Sequence, residues 1–346
     1  MRRLQASEHL VIGNLMPKCT TAMITMIIAV MLFLLLACSN EKYPSHIKAW
    51  HIGHPRNVVT KPLGGLALIG GGRDPDKAFI WFNHQTAGGD VVVLRASRSD
   101  GYNSYLYNDI GSVDSVRTIL VDSREIADDA WVIEQIDQAE GIFLAGGDQS
   151  AYVTRWSNTG LSAAITRAHQ RGAVIGGTSA GAMVLGGVVF SATQGSISSQ
   201  SSLQNPYASA VQLSAAIFSI PILREILIDT HFTERDRMGR LFVFIARALQ
   251  GNLGKSILGL GIDESTAILI TASGELSVVG NGGVTALWSQ DLAECCQPEQ
   301  PLTFTKVQSW KVIPNQAPFS LGSIANERGT AVFVERGQIV LQGGDG

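Results

Sequence analysis

The segment that could carry chemistry is Gly177-Thr178-Ser179-Ala180-Gly181, which follows a short apolar run ending in glycine. A serine flanked by glycines, between a predicted strand and a predicted helix, is typical of a nucleophile elbow. The serine hydroxyl then stands at the positive end of a helix, and the amide of Ala180 is free to face a developing oxyanion. A plain glycine-rich turn is the alternative, but the strand before it and the helix after it favour a nucleophile.

A serine nucleophile needs a base, and the base needs a group that orients it. Among the seven histidines, His231 stands just past a predicted strand, beside a carboxylate and several arginines. It is the strongest candidate for the base, with a structural histidine at a strand end as the alternative. His84 and His169 fall within predicted helices, where packing or surface roles are expected. Asp263 and Glu264 close another predicted strand, and either carboxylate could accept the Nδ1 proton of the imidazole.

The elements that must position these residues alternate between apolar strands and amphipathic helices. This alternation predicts an α/β fold with a parallel sheet and helices on both faces. Strands are predicted at 63–72, 90–96, 116–121, 141–147, before Ser179, and at 222–229, 259–264 and 267–271. In such a sheet the active site lies at the carboxyl ends of the strands, where the glycine turns at 70–72, 146–149 and 177–179 fall. Residues 190–215 predict a mobile loop, and the C-terminal part predicts antiparallel hairpins.

Composition narrows the class of protein. The 346 residues are 45% hydrophobic and 16% charged, which suits a globular enzyme with a sizeable core. A formal net charge of −3 gives no reason to expect a nucleic-acid partner. The glycines at 70–72 lack the Gly-x-Gly-x-x-Gly spacing of a dinucleotide site, and Cys295 and Cys296 show no metal-ligand spacing with histidine. We therefore predict neither a cofactor nor a metal.

Residues 1–38 predict a secretory signal peptide. A nearly continuous apolar run covers 21–37 behind Arg2, Arg3 and Lys18, which is the charge pattern of such a leader. The run ends in Leu-Leu-Ala-Cys at 35–38, which resembles a bacterial lipobox and makes Cys38 the predicted lipidation site. An uncleaved membrane anchor is the alternative, because the run approaches spanning length. In both cases the catalytic part is expected outside the cytoplasm, in the periplasm or at the cell surface.

Residues 39–62 predict a polar tether between the lipid and the folded domain. The segment carries His46, His51 and His54, which could bind a metal, although a solvated linker is the stronger expectation. Residues 63–346 then form a single catalytic domain.

Four short motifs follow one another at set spacings within residues 63–284. They are Gly146-Gly147-Asp148-Gln149, the segment 177–182, Asp229-Thr230-His231-Phe232 with the arginines after it, and the segment 261–267. Together they resemble cyanophycinases, which belong to the S51 serine peptidases together with aspartyl dipeptidase (dipeptidase E). The resemblance implies a class I glutamine amidotransferase-like fold, a three-layer α/β sandwich with a largely parallel central sheet.

The resemblance also implies roles for individual residues. Ser179 is the nucleophile, His231 the general base and Glu264 the acidic group, while the amides of Gly147 and Ala180 form the oxyanion hole. The implied substrate contacts are Gln149, Asp229, Arg235, Arg237 and Arg240. Such enzymes hydrolyse cyanophycin, a poly-aspartate backbone with arginine on each side-chain carboxyl, to β-aspartyl-arginine dipeptides through an acyl-enzyme. Carboxylate and amide groups suit its guanidinium groups, and arginines suit its carboxylates.

Two positions depart from the family pattern. Thr230 stands where cyanophycinases typically have glutamine, and Val153 stands where they usually have lysine, a charge that Arg155 could replace. Both changes favour, as an alternative, an aspartyl or isoaspartyl dipeptidase that acts on small peptides. A non-catalytic lipoprotein that binds peptides on this scaffold is the other alternative. Membrane attachment through the lipid is expected, and the formation of a homodimer is left open.

Overall fold

The central sheet carries the strand that leads to Ser179. The computed structural model describes residues 43–316, 319–321 and 329–341. The sheet has nine strands in the order β1 (Lys48–Gly53), β4 (Ser115–Leu120), β3 (Asp90–Arg95), β5 (Gly141–Leu144), β6 (Val174–Thr178), β2 (Leu66–Ile69), β11 (Thr266–Ile270), β12 (Glu275–Gly280) and β15 (Phe319–Ser320). The five strands from β4 to β2 run parallel, and antiparallel strands extend the sheet on both sides.

A second sheet carries the strand that leads to His231. Its eight strands follow the order β17 (Gln338–Leu341), β16 (Thr330–Glu335), β14 (Phe304–Val312), β13 (Val284–Ser289), β10 (Ile257–Ile262), β9 (Ile226–Thr230), β7 (Val188–Phe190) and β8 (Leu213–Ala215). Only β7, β9 and β10 run parallel in it. The strands predicted at 222–229 and 259–264 therefore form, but they belong to this second sheet rather than to the central one.

Helices lie against the sheets and close the core. They are α1 (Asp76–Gln85), α2 (Arg124–Ala127), α3 (Ala130–Gln138), α4 (Gln149–Trp156), α5 (Gly160–Gln170), α6 (Ala180–Met183), α7 (Ser199–Gln204) and α8 (Met238–Gln250). Buried side chains of α1 share an apolar cluster with one face of the central sheet. Side chains of α3 and α5 share a second cluster with strands of both sheets, and α8 packs on the second sheet in a third. The predicted α/β sandwich is confirmed.

Two further segments have a specific local structure. Tyr105–Ile110 is a π-helical segment that ends at Gly111, which has a positive φ of 72°. The predicted mobile loop at 190–215 contains α7 and the edge strand β8, and α7 begins with Ser198, whose side chain accepts the Ser201 N–H. Serine is a strong N-cap residue because its oxygen satisfies an otherwise unpaired amide at the helix start.

The tether predicted at 39–62 is corrected in its middle part. Residues 48–53 form β1, which pairs antiparallel with β4 from Lys48 opposite Leu120 to Gly53 opposite Ser115. The segment is held because its backbone groups complete the hydrogen bonding of an otherwise open sheet edge. The sheet therefore begins before residue 63.

The predicted signal peptide at 1–38, with Cys38, lies outside the described residues, as do positions 39–42. Within the described part of the chain, no helix has the length and apolar character needed to cross a membrane. Two of the histidines in the predicted tether contact carboxylates: His46 Nε2 lies 2.9 Å from Asp129 and His54 Nδ1 lies 2.7 Å from Asp114. These two rings help to attach the N-terminal segment to the body of the fold.

Candidate active site

Ser179 stands at a sharp turn between β6 and α6. Its backbone has φ 52° and ψ −121°, a conformation that costs energy for a non-glycine residue and is found mainly at functional sites. The turn is possible because Gly181 lies against β5: a Cβ built there would be 2.1 Å from the Leu144 carbonyl oxygen. The Ser179 N–H donates to the Ile69 carbonyl at 3.0 Å, which fixes the turn to β2. This is the backbone geometry of a nucleophile elbow.

His231 leaves the end of β9 with its ring directed at the serine. Its Nε2 lies 2.7 Å from Ser179 Oγ, and its Nδ1 lies 2.5 Å from Glu264 Oε1. The backbone again has a positive φ, 49°, and the His231 N–H donates to the Gly70 carbonyl at 2.9 Å. Because Nδ1 faces a carboxylate, we place the ring proton on Nδ1, which leaves Nε2 free to accept the serine proton. The structure therefore brings together the predicted nucleophile, base and acid in one hydrogen-bonded chain.

The environment of His231 keeps its imidazole neutral near neutral pH. Burial lowers its pKa below the ordinary 6.5, and the positive charges of Arg235 and Arg237 lower the pKa further. The hydrogen bond from Nδ1 to Glu264 acts in the opposite direction but does not cancel the decrease. A neutral imidazole is the form that can take a proton from a serine hydroxyl.

The choice between the two adjacent carboxylates falls on Glu264. Asp263 is buried and accepts hydrogen bonds from the Thr233 N–H and hydroxyl and from the Gly283 N–H. These donors hold Asp263 as a structural link between the segment after β9 and the turn before β13. Glu264 turns the other way, toward the imidazole.

A glycine segment, Gly70-Gly71-Gly72, lies against the histidine and the glutamate. A Cβ built at Gly71, where φ is 91°, would be 2.4 Å from Cε1 of His231, and one built at Gly72 would be 2.8 Å from Oε2 of Glu264. No side chain fits between this backbone and the ring. The sequence shows these glycines only as a turn after a strand; their number and their place at a carboxyl strand end were the available signal.

The predicted oxyanion hole consists of the amides of Gly147 and Ala180. Gly146 approaches the nucleophile, since a Cβ built on it would lie 3.4 Å from Ser179 Cβ, and Gly147 follows it on an exposed turn. Neither the Gly147 N–H nor the Ala180 N–H has an acceptor within the described residues. Gln149 is half-buried as the first residue of α4, whose N-cap is Asp148. The role of these three residues in binding stays a prediction.

The predicted substrate contacts of Asp229, Arg237 and Arg240 are corrected. Asp229 is fully buried, and Arg240 is 1% exposed. Arg240 grips both oxygens of Asp229, with Nε 2.7 Å from Oδ2 and Nη2 2.5 Å from Oδ1, while Arg237 Nη1 lies 3.1 Å from Oδ1. The Arg240 guanidinium also packs over Phe190 and Phe244. Asp229 offsets part of the positive charge of the two guanidinium groups, and these bonds hold all three side chains within the fold.

Arg235 behaves differently from the other two arginines of its motif. Its side chain is exposed, and it has no carboxylate partner within the described residues. Thr230 is fully buried, Val153 is half-buried, and Arg155 Nη1 donates to the Ala96 carbonyl at 2.9 Å. Arg155 is thereby held by the backbone rather than free to replace the lysine that the family usually carries.

A cavity of about 300 Å³ opens beside the glycine segment. Its lining includes Arg73 and Lys77, together with Ser265, which follows Glu264. Both cations are exposed and have no anionic partner in the described part of the chain. A larger cavity of about 960 Å³ is lined by Ile226 and Leu258, the amino ends of β9 and β10, and so lies away from the serine. In the described ranges, no three His, Cys, Asp or Glu side chains group to hold a metal ion.

Comparisons with known proteins show the family of this chain. The model of peptidase family S51 matches residues 96–275. A cyanophycinase of Synechococcus elongatus is 32% identical over 251 residues, covering 70% of this chain and 71% of that protein. A cyanophycinase of Trichormus variabilis is 30% identical over 203 residues, covering 57% and 62%.

A solved structure supports the fold. The crystal structure of a peptidase from an acI-B1 Actinobacterium superposes with a TM-score of 0.50 at 19% identity, over 75% of this chain and 98% of that one. The hydrogen-bonded serine, histidine and glutamate thus occur on a peptidase fold in a sequence that the family model matches. This chain belongs to peptidase family S51 and is a serine-type peptidase.

Proposed function

We propose that this peptidase hydrolyses cyanophycin to β-aspartyl-arginine dipeptides through an acyl-enzyme on Ser179. One observation carries the proposal: the unbroken chain from Glu264 through His231 to Ser179 stands in a protein whose relatives are named cyanophycinases. The chain of hydrogen bonds supplies the chemistry, and the relatives supply the class of substrate.

The proposed reaction has two halves. Ser179 Oγ attacks the scissile carbonyl carbon while His231 Nε2 takes the hydroxyl proton, and the Gly147 and Ala180 amides donate to the resulting oxyanion. The imidazolium then gives its proton to the leaving nitrogen, the C–N bond breaks, and an ester to Ser179 remains. A water molecule next loses a proton to His231 and attacks the ester, which releases the acid and restores the serine. Glu264 accepts the Nδ1–H bond throughout and stabilises the imidazolium.

The charges around the site support a substrate that carries both signs. Each arginine of cyanophycin offers an α-carboxylate, which suits the exposed cations Arg73, Lys77 and Arg235. It also offers a guanidinium, which suits the side-chain amide oxygen of Gln149 as a hydrogen-bond acceptor. We assign no substrate contact to Asp229, Arg237 or Arg240 because they are buried and bonded to one another.

Product analysis tests the substrate. Purified protein is incubated with cyanophycin granules and, in parallel, with Asp-X and β-Asp-X dipeptides, and the products are identified by mass spectrometry. We expect β-aspartyl-arginine from the polymer, and none from the Ser179→Ala variant. Cleavage of the dipeptides alone would identify the enzyme as an aspartyl or isoaspartyl dipeptidase rather than a cyanophycinase. Cleavage of neither, with Ser179 also unreactive toward an organophosphorus reagent, would favour the non-catalytic alternative.

We further propose that the enzyme is a lipoprotein anchored outside the cytoplasm through Cys38. The support is the apolar run at 21–37 behind basic residues and the lipobox-like end at 35–38. An external enzyme would use polymer released by other cells. Labelled palmitate should enter the wild-type protein and not a Cys38→Ala variant, and equal labelling of both would exclude this anchor. A homodimer stays a prediction, which sedimentation of the purified protein can decide.

A further inference from the structure

Asp74 makes two short hydrogen bonds that the mechanism above does not use. Its Oδ1 accepts from the Thr178 hydroxyl at 2.5 Å, and its Oδ2 accepts from the Tyr102 hydroxyl at 2.6 Å. Asp74 is not the N-cap of α1, because that helix begins after Pro75 and has no side-chain cap. Two hydroxyl donors on one carboxylate are the arrangement expected for an ionised acceptor.

The partners of Asp74 connect it to all three members of the hydrogen-bonded chain. Thr178 is buried and directly precedes the nucleophile at the end of β6. In the other direction, Asp74 follows the glycine segment, whose backbone contacts the His231 ring and the Glu264 side chain. The glycine segment also accepts backbone hydrogen bonds, from the His231 N–H at Gly70 and from the Ser265 N–H at Gly71, both at 2.9 Å. Asp74 thus ties the segment behind the base to the strand that carries the serine.

Asp74 is also electrically coupled to the base. Burial raises the pKa of Asp74 above its ordinary value, and the bonds from Thr178 and Tyr102 and the positive form of His231 offset only part of this rise. The coupling is reciprocal, so an anionic Asp74 favours the imidazolium that forms when the serine gives up its proton. The other charged groups that act on the imidazole are Glu264 after β10 and Arg235 and Arg237 after β9.

We propose that Asp74 is a positioning residue of this peptidase, holding Ser179 and His231 in register through Thr178 and the glycine segment. The proposal concerns any acyl transfer at Ser179 and does not depend on cyanophycin being the substrate. A misplacement of about 1 Å at a reacting group costs about a hundredfold in rate, so a residue that fixes both groups has a large effect without touching substrate.

The test combines Asp74→Asn with two readouts that need no natural substrate. The first is the rate at which diisopropyl fluorophosphate modifies Ser179: a bond forms between Oγ and phosphorus, fluoride leaves, and the proton passes to His231. The second is the pKa of His231 from NMR titration of the labelled histidines, assigned with a His231→Gln variant. We expect the labelling rate at high pH to fall by about tenfold to a hundredfold. We expect the pKa of His231 to fall.

Asp76→Asn is the matched control, because it removes the same charge two residues away. Asp76 is exposed, and its carboxylate accepts the Tyr105 hydroxyl at 2.8 Å. This variant should stay within twofold of wild type in labelling rate and leave the pKa of His231 in place. An equal change in both variants would attribute the effect to bulk charge and overturn the proposal.

Thr178→Val keeps the proposal testable if Asp74→Asn fails to fold. It removes one bond to Asp74 while it preserves the negative charge and the shape of the buried side chain. We expect a reduced labelling rate with a smaller change in the pKa of His231 than in Asp74→Asn. Folded Asp74→Asn protein with the wild-type rate and pKa, or folded Thr178→Val protein with the wild-type rate, would overturn the positioning role.

Discussion

Two charged clusters lie side by side at the end of β9, and they differ in their exposure to solvent. In the catalytic cluster, the His231 imidazole joins Ser179 to Glu264, and the Glu264 side chain is 34% exposed. In the buried cluster, Asp229 has no exposed surface and is bonded to two arginines that are themselves nearly buried. One residue, Thr230, separates Asp229 from His231 in the chain.

One sequence motif therefore supplies both a catalytic residue and buried structural residues. Thr230 ends β9 and is buried like Asp229, whereas His231 takes a positive φ that turns its ring out of the strand direction. A charged group that acts on a substrate must be accessible to it, while a charged group inside the fold must be paired with a neighbouring charge. Arg235, the exposed arginine of the motif, falls on the catalytic side of this division.

The largest effect should come from the catalytic cluster. Ser179→Ala removes the nucleophile, and we expect kcat/KM to fall by about 10⁴-fold or more. The melting temperature should not fall, because alanine leaves the backbone and the packing of the core unchanged. Activity within tenfold of wild type would remove Ser179 from the mechanism.

The buried cluster should respond in stability. Asp229→Asn leaves two buried guanidinium groups without their anion, so the free energy of unfolding should fall by about 3–5 kcal/mol. Urea unfolding measures this. The control is Asp137→Asn, which breaks the half-exposed Arg167–Asp137 pair at 2.6 Å and should cost about 1 kcal/mol or less. Similar losses of unfolding free energy in the two variants would contradict the contrast between the buried and the exposed ion pair.

The pH dependence of kcat/KM should report the base. Because burial lowers the pKa of His231, the acid limb should lie below pH 6.5, the ordinary histidine value. Protonation removes the base, so the rate should fall about tenfold for each pH unit below that pKa. A limb above pH 6.5 would show that the carboxylate, rather than burial, dominates the environment of the ring.

The smallest effect should come from Arg235 at the open edge of the motif. Arg235→Gln removes an exposed charge, and we expect KM for an anionic substrate to rise about threefold to tenfold with kcat nearly unchanged. The acid limb should move to higher pH, because Arg235 lowers the pKa of His231. An unchanged KM would leave Arg235 outside the binding site.

Much of the fold was predictable because local patterns determine it. The apolar runs at 90–96 and 141–147 became buried parallel strands, and the glycine-flanked serine became a turn between strand and helix. A histidine and an acidic pair after strands pointed to the right region of the chain. These features depend on residue type and spacing, which the sequence displays directly.

The rest depended on which side of the chain faces inward. Asp263 and Glu264 are neighbours with the same charge, and only the turn before β13 shows which of them is buried. The burial of Asp229 depends on α8 and on the Phe190 ring of β7, which lies about forty residues earlier in the chain. β1 pairs with a strand more than sixty residues away, and its short, half-exposed sequence gives little sign of that partner.

The position of β1 has a consequence for the protein's behaviour in solution. Its six residues cover the outer side of β4, which would otherwise present unpaired amides and carbonyls along a row of parallel strands. Open edges of that kind recruit strands from other molecules and begin aggregation. A chain trimmed to residue 63, where the sequence suggests that the domain starts, would keep every catalytic group and still be prone to precipitate. The segment that looks like a spacer therefore protects the sheet edge from aggregation.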